Sequence, residues 1–311
     1  MRILVTGGAG FIGSHTVDAI VAAGGHQVAV LDDVSSGKRE QVNPAAAFYH
    51  VDIRNREEMR IVFDREKPEV MVHLAAQMDV RKSVADPVFD AEVNIAGFLN
   101  LMEAGRRNGF RRVVFSSTGG AIYGEQQTFP CEENHPTRPV SPYGVAKLAT
   151  EAYLFFYRLQ YGIDYAAMRY ANVYGPRQDP HGEAGVVAIF CGRLLEGKPC
   201  AIFGDGEQTR DYVYAGDVVR ATVAAITSQA SGAINVGTGI ETSVKQLYRA
   251  LAAAAGVDKA PEYAPARPGE QSRSSISPAR AGRELGWRPE VGLEDGLRRT
   301  LEYFRQLARA K

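Results

Sequence analysis

After Met1-Arg2 the chain runs Ile3-Leu4-Val5-Thr6-Gly7-Gly8-Ala9-Gly10-Phe11-Ile12-Gly13. Ile3 to Val5 is a short apolar run of the kind that is buried on both faces of a parallel sheet. Gly7, Gly10 and Gly13 follow at three-residue spacing, and apolar residues then recur at helical spacing at Phe11, Ile12, Val17, Ile20 and Val21. Strand, glycine turn and helix in that order make a cradle for a dinucleotide. The glycines allow a tight turn and close backbone approach to a pyrophosphate, and the helix N-terminus offers free N–H groups and partial positive charge. Gly7, Gly10, Phe11, Ile12 and Gly13 are the cofactor contacts expected here.

The alternation of strand and helix continues. Gln27 to Leu31 reads as a second strand ending at Asp32-Asp33, about twenty residues beyond the glycine turn. A carboxylate there accepts hydrogen bonds from the adenosine ribose and repels a 2′-phosphate, so the expected cofactor is NAD and not NADP. Ala46 to Val51 reads as strand three, ending at Asp52-Ile53, where a carboxylate can reach the adenine amino group. Arg54 to Arg65 reads as a surface helix. Pro68 to Leu74 reads as strand four, and the small residues Ala75-Ala76 let a cofactor lie across its end. Asp86-Pro87 opens a helix expected to run through Asn108. Arg111 to Ser117 reads as strand five, Ser141-Pro142 opens a helix to Gln160, and Asp164 to Arg169 reads as strand six. This pattern predicts an α/β fold with a doubly wound parallel sheet of the Rossmann type. After Asn172 the pattern loosens. The expected organisation is a dinucleotide-binding domain over residues 1–172, with returns near 210–237, and a smaller α/β substrate-binding domain over 173–311. Arg210 to Val218 and Ala233 to Val236 are the expected returns, and Val244 to Ala255 and Leu293 to Ala308 read as helices.

Ser116-Ser117-Thr118 stands at the end of strand five, and Tyr143 and Lys147, at i and i+4, share a face of the next helix. Strand ends and helix starts on that side of such a sheet converge on the cofactor crevice. A hydroxyl, a phenol and an ammonium are therefore expected to meet beside the nicotinamide. A free tyrosine titrates at about 10, and a fixed lysine cation with the positive nicotinamide nearby lowers that value. Tyr143 then takes a proton from a substrate hydroxyl as hydride leaves the same carbon. Thr118 shares or relays that hydrogen bond, and Lys147 also binds the nicotinamide ribose.

The TGGAGFIG stretch from Thr6, Leu74-Ala75-Ala76, Ser116-Ser117-Thr118, Tyr143-x-x-x-Lys147 and Arg169-Tyr170-x-Asn172 together resemble the extended short-chain dehydrogenase/reductase family, over essentially the whole length. Within it, Thr209-Arg210-Asp211-Tyr212 and Arg267-Pro268-Gly269-Glu270 are most similar to the branch that epimerises UDP-glucose. The resemblance implies a bound NAD, contacted also by Asn94, Ser116, Ser117 and Tyr170. It implies a small-molecule nucleotide-sugar substrate, UDP-glucose or UDP-galactose, inverted at C4 through a transient 4-keto sugar. Net redox is zero, so NAD is expected to stay bound through turnover. The resemblance further places Asn172 at the substrate diphosphate region, Val186 and Val187 near the nucleotide, and Ala201 to Phe203 beside the uracil. Arg210 and Arg267 hold the diphosphate and Glu270 meets the nucleotide ribose. Independently of family, arginine offers a planar fork suited to phosphate oxygens.

Two departures from the family pattern matter. Many members have three serines where this chain has Ser116-Ser117-Thr118, and here Gly119-Gly120 and one more residue intervene before Ile122-Tyr123. Ser117 and Thr118 are alternatives for the catalytic hydroxyl, with Thr118 preferred. Four residues beyond Glu270, some members carry a large tyrosine that excludes N-acetylated sugars; Ser274 stands there, which implies a pocket that also takes UDP-N-acetylhexosamines. Members resembling the 4,6-dehydratases carry Asp-Glu directly after the catalytic Thr, where this chain has Gly119-Gly120. A UDP-glucuronate decarboxylase shares the first oxidation, and no feature excludes it. A dinucleotide sensor without catalysis has no need of Tyr143 and Lys147 together.

Thirty-six basic and 36 acidic side chains leave a formal net charge of zero, which argues against a nucleic-acid partner. No apolar run approaches membrane-spanning length, and the first strand begins at residue 3, leaving no room for a secretory leader. The three cysteines, Cys131, Cys191 and Cys200, have neither disulfide-framework nor metal-ligand spacing. A soluble, cytoplasmic protein with no metal site is expected. The helices at residues 87–108 and 142–160 are apolar on broad faces. One face covers the sheet, and the resemblance implies that the other forms the interface of a homodimer.

Overall fold

The computed structural model describes residues 1–181, 185–266 and 271–309. The strands are β1 (Arg2–Thr6), β2 (Gln27–Asp32), β3 (Ala47–His50), β4 (Val70–His73), β5 (Arg112–Thr118), β6 (Asp164–Tyr170), β7 (Asn172–Tyr174), β8 (Ala201–Phe203), β9 (Thr209–Arg210), β10 (Tyr212–Tyr214), β11 (Gly232–Val236), β12 (Thr242–Ser243) and β13 (Glu262–Ala264). Among the described residues, seven of them form one parallel sheet in the order β3-β2-β1-β4-β5-β6-β11. The winding direction reverses between β1 and β4, and a crevice opens at such a switch point outside the carboxyl ends of the strands.

Both faces of this sheet are covered, because successive side chains point to opposite sides. Ile3, Val5, Val72, Val114, Met168 and Tyr170 pack on one face. There they meet α1 (Phe11–Ala23), whose Val17 and Ile20 turn inward. Leu4, Met71, Val113, Phe115 and Ala167 pack on the other face. That face is covered by α2 (Arg56–Glu66), by α5 (Phe98–Arg106) and by α6 (Pro142–Tyr161). Between α2 and α5 lie two short helices, α3 (Val80–Ala85) and α4 (Pro87–Ala91).

The helix expected from Asp86 to Asn108 is not continuous. A π-helical turn, Glu92–Gly97, separates α4 from α5. Such a turn carries one extra residue and shifts the backbone ladder. Thr150 Oγ1 of α6, which donates to Ala146 O on its own helix at 2.9 Å, lies 3.2 Å from the Asn94 carbonyl in this turn. The start of α6 is fixed by sequence: Ser141 Oγ accepts from Gly144 N at 3.2 Å, Pro142 occupies the first turn, and Gly162 closes the other end at φ +68°.

Beyond β7 the remaining helices are α7 (Val186–Leu195), α8 (Ala215–Thr227), α9 (Val244–Ala255), α10 (Ala279–Leu285) and α11 (Leu293–Arg309). α7, α9 and α11 share a third core around Phe190, Ile202, Leu247, Leu251, Leu297 and Phe304. The expected return at Arg210 to Val218 takes another form. β9 pairs with β12 and β10 with β7, outside the large sheet, and Ala215 begins a helix. That helix, α8, packs beside α1 through Val218, Ala221 and Ala225. β11 does enter the large sheet, beside β6. Asp211, buried between β9 and β10, accepts from Thr238 N at 2.9 Å, Gly239 N at 3.0 Å and Ile276 N at 3.3 Å, and so joins three separate segments.

An ion pair crosses from the sheet to α6. Arg169 on β6 meets Glu151 with Nη2 to Oε2 at 2.6 Å and Nε to Oε1 at 3.0 Å, both side chains buried. Removing one partner leaves the other charge uncompensated. Arg169→Met is therefore expected to destabilise the protein by about 3–5 kcal/mol, read as a lower urea midpoint at unchanged slope. An unchanged midpoint contradicts this packing.

Candidate active site

The glycine turn sits at the switch point and is shaped by close backbone approach. Gly7 has φ +69°, and a Cβ on it would lie 2.6 Å from Ala75 N, at the end of β4. A Cβ on Gly13 would fall 2.0 Å from the Gly7 carbonyl oxygen. Gly10 is the N-cap of α1 and supplies no side-chain cap, so the first turn of the helix presents its backbone N–H groups outward with Phe11 and Ile12 half-buried beside it. A bare, side-chain-free helix start of this shape fits the diphosphate of a dinucleotide.

The adenosine side of the cradle is more structured than the sequence indicates. Asp32 is buried; its Oδ2 accepts from Ala9 N at 2.9 Å and its Oδ1 from Val34 N at 2.8 Å. Burial raises its pKa, and those two N–H groups oppose the shift. Asp32 thus braces the glycine turn, and two of its lone-pair sites remain for a ribose. Asp33 is exposed and caps its own turn through Ser35 N at 3.0 Å. Val34 between them has φ +55°, a costly conformation for a β-branched residue. Asp52 is gripped by Arg54, with Nη2 to Oδ2 at 2.6 Å, which holds its carboxyl below the usual range. Ile53 is buried in the core, and Leu74, Ala75 and Ala76 are half-buried along the crevice floor.

At the ends of β4 and β5 the chemistry-bearing groups converge. Lys147 is 3% exposed; its Nζ donates to Ser116 O at 2.8 Å and lies 4.7 Å from the Phe115 ring centre and 5.7 Å from that of Tyr143. Burial lowers its pKa to about 7, against the opposing influence of Asp90 and then Glu151. His73, stacked on Phe115, is lowered to about 3, first by burial and then by Lys147, and its Nδ1 sits 2.7 Å from Thr6 Oγ1. It is a neutral neighbour that the sequence reading did not find. The Tyr143 phenol is pushed up, by burial first and by Asp90 second. In the chain itself the phenolate is therefore disfavoured, the reverse of the direction expected from lysine proximity alone.

The structure separates the two hydroxyl candidates. Ser117 is buried and its Oγ donates to Glu151 Oε1 at 2.6 Å, within the Arg169 ion pair, so its side chain faces α6 and not the crevice. Thr118 is half-buried at the strand end, and a Cβ on Gly120 would meet both its hydroxyl and the Asn172 side chain. Tyr170 also departs from expectation. Strand alternation turns it to the α8 side, where its hydroxyl sits 2.7 Å from Thr222 Oγ1, and so it is a core residue. Asn94 is buried with its amide engaged by Gln77 and Asp90, at 2.9 and 3.0 Å.

Of the residues expected at the substrate, Asn172 is exposed on β7 and Arg210 is half-buried on β9, its Nη1 donating to Thr209 O at 2.8 Å. Val186 is half-buried in the first turn of α7, whereas Val187 is buried in the third core. Ala201 and Phe203 are half-buried on β8. Ser274 is buried, with Gln126 Nε2 at 3.4 Å from its hydroxyl. Arg267 and Glu270 lie outside the described residues. Among the described residues no helix is long and apolar enough to cross a membrane.

A parallel sheet wound in this order, with a glycine cradle and a buried lysine beside a tyrosine at its carboxyl edge, defines a dinucleotide-dependent α/β protein. The chain belongs to the NAD dependent epimerase/dehydratase family, which it matches over residues 3–237. It is 49% identical to the UDP-glucose 4-epimerase of Mycolicibacterium smegmatis, across 98% of this chain and 99% of that protein. The crystal structure of Thermotoga maritima UDP-glucose 4-epimerase with UDP-glucose is 50% identical and superposes with a TM-score of 0.97, covering 99% of this chain and 100% of that one. The Thermus thermophilus UDP-glucose 4-epimerase complex with NAD, also 50% identical, gives 0.93, covering 98% and 99%.

Gly13→Ala tests the cradle. Overpacking against the Gly7 carbonyl is expected to lower the dinucleotide retained through desalting by roughly tenfold, at a cost of order 1–3 kcal/mol. Retention equal to the parent protein contradicts the assignment.

Proposed function

We propose that this chain is a UDP-sugar 4-epimerase that interconverts UDP-glucose and UDP-galactose. The observation that carries the reading is Lys147, bound to the Ser116 carbonyl near the end of β5 and 5.7 Å from the Tyr143 ring centre, with Thr118 at the end of the same strand. The full-length likeness to proteins of that name, one of them with UDP-glucose and one with NAD, supports it.

NAD fits Gly7, Gly10, Phe11, Ile12 and Gly13 at its diphosphate and Asp32 at its adenosine ribose. When bound, it would supply hydride acceptance and donation at C4 of the sugar and a second positive charge beside that of Lys147. Tyr143 is the group that takes the proton of the 4-hydroxyl and later gives it back. Thr118 orients that hydroxyl, and Lys147 holds the nicotinamide ribose and stabilises the ionised phenol. Burial and then Asp90 raise the Tyr143 pKa, and the positive nicotinamide would oppose that rise. Arg210 and Asn172 fix the diphosphate, which leaves the sugar loosely held and able to turn between the two hydride transfers. Binding energy placed on the nucleotide and withheld from the sugar suits a reaction with a rotation midway.

Ser274 lacks the bulk to crowd a 2-substituent, and UDP-N-acetylhexosamines are proposed as further substrates. Gly119-Gly120 offers no acid–base pair for elimination, which favours epimerisation over dehydration. A homodimer is proposed through the outer face of α6, where Tyr153, Phe155, Phe156 and Leu159 are exposed. The buried free thiols Cys131, Cys191 and Cys200 suit a reducing, cytoplasmic setting.

Tyr143→Phe is expected to lower kcat for UDP-galactose by about 10²–10⁴ with NAD retained, and Thr118→Ala by roughly 10². Ser117→Ala is expected to act on thermal stability far more than on kcat. A Tyr143→Phe enzyme with parental kcat, or a pentose product from UDP-glucuronate without epimerisation, overturns the proposal.

A further inference from the structure

Arg210, which fixes the substrate diphosphate in the reading above, stands on a strand of two residues. The antiparallel ladder of β9 to β12 consists of the pairs Thr209–Ser243 and Arg210–Thr242. So short a ladder leaves the placement of the strand to side chains on either side of Arg210.

On one side Asp211, 1% exposed, accepts from the backbone of Thr238, Gly239 and Ile276. On the other side Thr209 donates from its Oγ1 to Glu241 Oε1 at 2.5 Å and from its backbone N–H to Ser272 O at 3.0 Å. Glu241, directly before β12, is gripped a second time. Arg273 donates from Nε to Oε1 at 2.9 Å and from Nη2 to Oε2 at 2.5 Å. The Arg273 guanidinium lies 3.9 Å from the centre of the Phe129 ring. Two carboxylates, one on each side of Arg210, thus tie β9 and β10 to the same two segments, 238–243 and 272–276. Arg210 is bonded to the clamped residue itself, its Nη1 donating to Thr209 O at 2.8 Å.

An exposed ion pair contributes little by itself, and the Arg273 side chain is 53% exposed. What distinguishes this pair is its third member. The two-pronged guanidinium fixes the plane of the Glu241 carboxylate, and the fixed carboxylate then fixes the Thr209 hydroxyl. We propose that Glu241 is a positioning residue for substrate binding: held by Arg273, it fixes Thr209 and, through it, the guanidinium of Arg210 that meets the diphosphate. The inference rests on the reading that Arg210 binds the diphosphate of a UDP-sugar. Because Glu241 acts through Arg210, its removal falls on nucleotide binding and not on the chemical step.

The test is a double-mutant cycle on UDP affinity, measured by calorimetry on NAD-loaded protein with the parent, Glu241→Ala, Arg210→Ala and the double variant. Glu241→Ala is expected to raise the UDP Kd by about tenfold, and to have no further effect once Arg210 is replaced. KM for UDP-galactose rises in step while kcat falls by less than about threefold, the pattern of lost binding common to ground state and transition state. Thr209→Val removes the hydroxyl at nearly constant volume. It must weaken UDP in the same direction, and it decides the matter if Glu241→Ala does not fold. Thr209→Ser keeps the hydroxyl and stays within about twofold of the parent. A UDP Kd unchanged in Glu241→Ala or Thr209→Val, or a loss as large without Arg210 as with it, overturns the inference and leaves Arg210 at the diphosphate. Parental UDP affinity in Arg210→Ala overturns both. A parent that binds UDP but does not turn over UDP-galactose overturns the epimerase reading, and the cycle on UDP still decides the role of Glu241.

Discussion

A lysine ammonium taken almost wholly out of water governs the arrangement of this protein. Desolvating such a group costs several kcal/mol unless hydrogen bonds and opposite charge offset it. Lys147 has the Ser116 carbonyl at 2.8 Å and the Phe115 ring face below it. That carbonyl is available because β5 ends there, with Gly119-Gly120 carrying the chain away. Lys147 arrives there because Ser141 and Pro142 fix where α6 starts. His73 tolerates the cation because burial keeps its imidazole neutral. Elements far apart in sequence thus meet around one charge, and the same charge faces the phenol of Tyr143.

The two sides of the sheet divide the labour. On the α6 side, alternation sends Phe115, Ser117 and Arg169 inward, where Ser117 and Arg169 both bind Glu151. On the α1 and α8 side it sends Val114, Met168 and Tyr170 into a core that holds the glycine turn in register with β4. The crevice lies between, at the carboxyl edge, where Thr118 stands at the end of β5. The third core of α7, α9 and α11 stands apart from this cluster.

Much of this was legible in the sequence, for identifiable reasons. Short apolar runs punctuated by glycine and aspartate gave β1 to β6 nearly residue by residue, and the spacing of Tyr143 and Lys147 placed both on one helical face. What escaped notice depends on tertiary contact. Arg210 to Val218 was expected as one return, but nothing local marks Ala215 as the start of α8. The π-helical turn over Glu92–Gly97 leaves no mark in the local sequence. Tyr170 was assigned to the cofactor from a motif, whereas parity with Arg169 on the same strand already turned it the other way. Nothing local marks Asp90 for burial, since its hydrogen bonds come from Gln77 and Asn94, which no periodicity brings together.

The central claim is that a dinucleotide retained in the glycine cradle takes hydrogen from C4 of the sugar and restores it to the same carbon, with Tyr143 handling only the proton on oxygen. The most direct measurement is conversion of UDP-galactose deuterated at C4 by NAD-loaded enzyme in ordinary water. The account predicts UDP-glucose that keeps its deuterium at C4, with none passed to solvent. Product that has exchanged that deuterium for solvent hydrogen contradicts it.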